Sequence, residues 1–143
     1  MDGMTPPDSP TPTPTSPALA PFVKQWAVLL TSHKRDGTGV GTPVNIAVEG
    51  DHAYFRTYAK AWKAKRMRNN PVVEIAPSTV RGAPTGPEIK ARVRLLDRDS
   101  DENTHAAKAI ARKYPFMHGF LVPLAHKVKR DKTLHYELRV LGE

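Results

Sequence analysis

The chain has 143 residues, 39% hydrophobic and 25% charged, a length suited to one globular domain that buries roughly two-thirds of its unfolded surface. It contains no cysteine, which excludes disulfide frameworks, thiolate zinc centres, iron–sulfur clusters and cysteine nucleophiles and fits a reducing, cytoplasmic setting. Twenty-two Lys and Arg against 14 Asp and Glu give a net charge of +8, the balance of a protein with an anionic partner or a basic soluble surface.

Seven of the 14 prolines fall within residues 1–21, interleaved with Ser and Thr. A segment with so few amide donors and apolar side chains is expected to be an extended, disordered leader. Asp2 and Asp8 leave with it, so residues 22–143 carry 22 cations against 12 acids, a net +10. The first residues show neither the basic start nor the apolar core of a secretory signal, and no apolar run approaches the roughly 20 residues of a spanning helix.

From Phe22 the composition is that of a folded chain. Trp26–His33 reads as a mostly buried strand, and Asp36-Gly37 supplies a turn that returns the chain through Val40–Glu49. Gly50-Asp51 is a second tight-turn signal, followed by an aromatic-rich strand over His52–Thr57. Three strands joined by short turns make an antiparallel meander. In Lys60–Asn70 the apolar positions Ala61, Ala64 and Met67 recur every three residues, the mark of a short helix, which Pro71 ends. Val72–Ala76 is a compact strand, 81–87 a Gly/Pro loop, and Glu88–Leu96 alternates, with Ile89, Ala91, Val93 and Leu95 on one face. Ser100 is placed to cap a helix over Asp101–Tyr114, whose early acids and late bases complement its dipole. A further short helical segment is expected over Phe116–Arg130 and a final strand over Thr133–Leu141. The expected fold is mainly β (α+β): six antiparallel strands closed into a barrel, with three short peripheral helices.

The most conspicuous chemistry is basic. Lys60, Lys63, Lys65, Arg66 and Arg68 place five cations within nine residues, just after a strand ending in Arg56-Thr57. On a helix Lys63 and Arg66 are neighbours, and a lysine point charge beside a guanidinium fork is equipment for holding a phosphate. The same run also fits a solvated helix face. The six histidines are scattered without HxH or HExxH spacing, so no metal site is expected. Gly37–Gly41 sits in a strand–turn–strand setting and reads as a hairpin, not a phosphate loop. Trp62 is the only aromatic residue inside the basic run, a poor stacking platform for nucleic acid. No side-chain constellation announces a reaction, so an enzyme of this sequence would need an organic cofactor to carry its chemistry.

Read in order, Asp36-Gly37-Thr38, Gly41-Thr42-Pro43-Val44, Tyr54-Phe55-Arg56-Thr57, Lys63 through Pro71, Ala76-Pro77 and Arg81 through Gly86 resemble the flavin/deazaflavin oxidoreductases with a pyridoxamine-phosphate-oxidase-like split β-barrel, and their coenzyme F420-dependent branch in particular. The resemblance spans about residues 26–93. It implies a homodimer with a cofactor in each of two grooves at the subunit interface. Thr42, Pro43, Val44 and Asn45 would face the ring system; Arg56, Thr57, Lys63 and Arg66, with Lys65 beside them, would hold the phosphate. Asn45 stands where many relatives carry a bulky residue. The multiply charged F420 suits so basic a body better than the alternative, FMN. The implied activity is hydride transfer between reduced deazaflavin and a small electrophilic substrate, with a non-catalytic cofactor carrier as the alternative. Tyr54, Tyr58, His118 and Tyr136 are equivalent proton-donor candidates, and the Phe116–Lys129 segment, with Tyr114, Phe116, Met117, His118 and Phe120, is either a packed connector or a cover over the pocket that supplies substrate contacts.

Overall fold

The computed structural model describes residues 14–114 and 133–142. Among them seven strands form one antiparallel sheet: β1 (Ala27–His33), β2 (Gly39–Val44), β3 (Ile46–Glu49), β4 (His52–Tyr58), β5 (Val72–Ser78), β6 (Ile89–Leu95) and β7 (Thr133–Val140). Two helices accompany them, α1 (Trp62–Asn69) and α2 (Asp101–Lys113). Apart from β2 and β3, each lies within two residues of where periodicity, capping and turn signals place it. The segment Phe116–Arg130 lies outside the described residues.

The sheet order is β2-β1-β5-β6-β7-β4-β3. Its two outermost strands are consecutive in sequence and joined through Asn45 alone, so the sheet curls until its edges meet. This explains why there are seven strands where six are expected. The continuous strand anticipated over Val40–Glu49 is broken at Asn45, and its halves pair with different neighbours, Val44 with Val28 of β1 and Ile46 with Phe55 of β4. Pro43 is tolerated because β2 is an edge strand and no neighbour needs the missing amide.

The end of α2 pins that break. The Ile46 amide donates to the Tyr114 hydroxyl (3.2 Å), which lies 2.9 Å from the Trp26 carbonyl, and the Asn45 side-chain amide donates to the same carbonyl (2.9 Å). Lys113 adds a 2.6 Å bond from its ammonium to the Ile46 carbonyl. Burial lowers its pKa to about 8.

Side chains alternate as a barrel requires. Val28, Leu30, Ile46, Phe55, Val73 and Ile75 fill the interior, where Phe55 stacks on Tyr136 at 5.1 Å. On the outer face Ala106 and Ile110 of α2, with Tyr114 just after it, pack against Ala47, Tyr54 and Leu96, forming a second core. The Asn103 amide donates to Ser100 Oγ (3.1 Å), the cap expected for α2. Gly37 (φ +91°) and Gly50 (φ +66°) supply the left-handed conformations of the two turns.

Two expectations are corrected. The packed body begins before Phe22: the Ser16 amide donates to the Gly50 carbonyl (2.9 Å), a 3-10 turn forms at Ala20–Phe22, and Leu19 is fully buried in the barrel core. Prolines spaced around one leucine and one phenylalanine pre-set a compact plug, a role that composition averaged over 21 residues conceals. In β6 the alternation ends at Val93. Leu95 is exposed and Leu96 is buried, because the Leu96 amide bonds to the His135 carbonyl as the chain leaves the sheet toward α2.

Candidate functional site

β3 covers β4 only from His52 to Phe55. Beyond the break at Asn45, the stretch Arg56–Tyr58 faces the end of β2 across a gap that no strand pairing bridges among the described residues. A cavity of about 170 Å³ occupies the gap, lined by Pro43, Val44 and Asn45 on one side and Arg56, Thr57 and Tyr58 on the other, with Lys63 of α1 above them. The Lys63 ammonium donates to Thr57 Oγ1 at 3.4 Å. Burial, with Arg66 nearby, holds its pKa below the usual lysine value, so an anion entering here would meet a partly desolvated cation. Thr42 Oγ1 is buried without a partner among the described residues, an orphan polar atom immediately before the cavity wall.

Six of the nine residues expected to bind cofactor (Pro43, Val44, Asn45, Arg56, Thr57 and Lys63) therefore meet in one cavity, with Thr42 adjoining it. Lys65 and Arg66 do not join them. They line a separate cavity of about 680 Å³ beside the β1–β2 turn, together with Lys34, Arg35, Val40 and Trp62. Helix geometry is the reason for Lys65, which points about 200° away from Lys63 around the axis. Arg66 is drawn toward β1, its Nε donating to the buried Ser32 hydroxyl at 2.7 Å. Arg68 is exposed.

The proton-donor candidates separate in the same way. Tyr136 is in the barrel core, and Tyr54 lies under α2 with its hydroxyl 3.0 Å from His52 Nε2 and its pKa pushed up to about 12, chiefly by burial. Tyr58 lines the cavity. His118 lies outside the described residues. Sequence reasoning missed Lys34 and Arg35, taken only as turn residues, and Lys113 and Tyr114 as clamps of the break. Their roles depend on pairings distant in sequence and leave no local signal.

No protein-family model matches the chain, and no curated protein matches it in sequence. Solved structures do match. HutZ, the heme storage protein from Vibrio cholerae, superposes with a TM-score of 0.63 at 13% identity, covering 92% of this chain and 93% of that one. A candidate pyridoxamine 5'-phosphate oxidase from Listeria innocua gives 0.57 at 16% identity, covering 88% and 96%. An F420 reductase gives 0.55 at 18%, covering 85% and 92%. The chain has the split β-barrel fold of the pyridoxamine-phosphate-oxidase-like proteins. Among the described residues no helix is long and apolar enough to cross a membrane, and no three metal-ligating side chains come together.

Proposed function

We infer that the chain is an oxidoreductase that holds a phosphate-bearing flavin or deazaflavin in the split between β2 and β4. The observation that carries this reading is the convergence of Arg56, Thr57 and Lys63 on one cavity across from Pro43–Asn45. Guanidinium, hydroxyl and ammonium are donors suited to a phosphate, and the lysine already bears the cost of burial. The size of the cavity limits what it holds. At about 170 Å³ it admits a phosphate and the first atoms of its chain, well below the roughly 300 Å³ or more of a site that encloses a whole cofactor-sized ligand. The ring system would lie outside it, against the exposed Pro43 and half-buried Asn45, and its second wall would come from a second copy of the chain.

F420, with a phosphodiester and an oligoglutamate tail, is the cofactor we favour, because a body of net charge +10 rewards a polyanion more than the single phosphate of FMN. When bound, the cofactor supplies hydride transfer to or from a small electrophilic molecule such as an activated double bond. The chain's own residues bind and orient: Arg56 and Lys63 neutralise the phosphate, Thr57 donates to it, and the clamped Asn45 break fixes the wall against which the ring rests.

Titration of the full chain with F420, followed by its fluorescence, and with FMN, followed by absorbance, tests the assignment. Saturable binding of one cofactor is expected, weakened more than about 100-fold in Arg56→Ala/Lys63→Ala, since two charge-assisted bonds at ~1.5–3 kcal/mol each are lost. Binding of neither sinks the reading. Tight binding without turnover of any electrophile tried would leave a cofactor carrier.

A further inference from the structure

The larger cavity beside the β1–β2 turn is not absorbed by that reading. Its walls carry four cations, Lys34 and Arg35 from the turn and Lys65 and Arg66 from α1. Among the described residues none of the four forms an ion pair with a carboxylate. Asp36 influences Lys34 only at a distance; its carboxylate is engaged by the Thr38 amide (2.9 Å). The Glu74 carboxylate lies 2.8 Å from Nε2 of His33, itself a lining residue of the cavity. Arg66 spends its Nε on Ser32, which fixes the guanidinium and leaves the remaining donors for a ligand.

The walls are not uniformly polar. Trp62 is 72% exposed, the higher exposure of the chain's two tryptophans, and Val40 lines the same space. Lys65 already sits 5.3 Å from the Trp62 ring centroid, so charge and aromatic face are side by side. Asn69 adds an amide that can both donate and accept. A volume of about 680 Å³ is far more than a lone phosphate fills and lies in the range of small-molecule sites.

We propose that this cavity is a second ligand site, for a planar heteroaromatic group carrying two or more negative charges, of which a nucleoside diphosphate is the simplest example. The ring stacks on Trp62 with Val40 beneath it, Asn69 reads its edge, and the phosphates lie between the Lys34-Arg35 turn and Lys65-Arg66. The site uses neither Arg56 nor Thr57 and does not require the cofactor assignment to hold.

Calorimetric titration of the full chain with ADP, run beside inorganic pyrophosphate and adenosine, tests it. ADP is expected to bind saturably, more weakly as salt is raised, and at least about tenfold more tightly than either part alone, because ring and charges are held by different walls. Lys34→Glu/Arg35→Glu, in an exposed turn, should weaken ADP at least about tenfold. Trp62→Leu should bring ADP down to the affinity of pyrophosphate. Arg56→Ala should leave ADP binding within twofold while it weakens F420 or FMN, which separates failure of this proposal from failure of the cofactor reading. The proposal is overturned if ADP does not saturate, if pyrophosphate binds as well as ADP, if charge reversal in the turn has no effect, or if F420 displaces ADP competitively, which would make the cavity part of the cofactor's own site.

Discussion

Lys63 shows how a single residue can be legible in sequence and still change meaning in the fold. Its place in a basic run suggests phosphate; its burial beside Thr57 and Arg66 gives it a pKa below the ordinary lysine value. The sign of the resulting pH dependence is fixed. The ammonium is needed to hold an anion, so affinity for the cofactor should be constant near neutrality and fall as pH rises through the lowered lysine pKa, earlier than an exposed lysine would allow. Lys63→Arg should remove that alkaline limb, because a guanidinium stays charged there. An unchanged pH profile in the variant would take Lys63 out of the site. Lys65 carries the opposite lesson: two positions further along the same helix, an equally basic residue serves a different cavity.

At the scale of elements, the break at Asn45 matters most. Residues 40–49 are too rich in β-branched residues for local composition to place the break between β2 and β3 at Asn45; the distinction is made by Trp26 and Tyr114, 19 and 69 residues away in sequence. Tyr114→Phe leaves the buried Ile46 amide without its acceptor and should cost about 1–3 kcal/mol in urea denaturation, while weakening cofactor binding because the cavity wall is no longer clamped. Stability lost with binding intact would reduce the clamp to a packing contact. The plug that precedes β1 makes a second prediction. Leu19→Ala should destabilise the chain by about 2–5 kcal/mol, the range for deleting a buried leucine side chain. A loss under about 0.5 kcal/mol is what a surface or leader position would give. By contrast α2, with its Ser100 cap and charged ends, and the Gly37 and Gly50 turns were readable from short windows, because capping and turn chemistry act over four residues or fewer.

For the whole molecule, the seven-stranded sheet brings its own edges together and leaves the split as the one place where β2 and β4 face each other unpaired among the described residues. A cavity too small to enclose a ring system predicts that the working unit is a homodimer. Light scattering of the full chain should give twice the monomer mass of 15.8 kDa, with one cofactor bound per chain. A monomer that binds cofactor with undiminished affinity would remove the second copy from the site.

The sequence by itself determined the order and type of nearly every described element, the antiparallel barrel, the absence of thiol chemistry and the concentration of positive charge after β4. Those properties follow from local periodicity, turn residues and composition, which act over a few residues. Only the tertiary structure decided that one expected strand is two, that residues 16–22 belong to the body, and that one basic run serves two cavities. Each of those outcomes depends on which distant side chain fills a space or satisfies a backbone group, and that partner is chosen by the closing of the barrel.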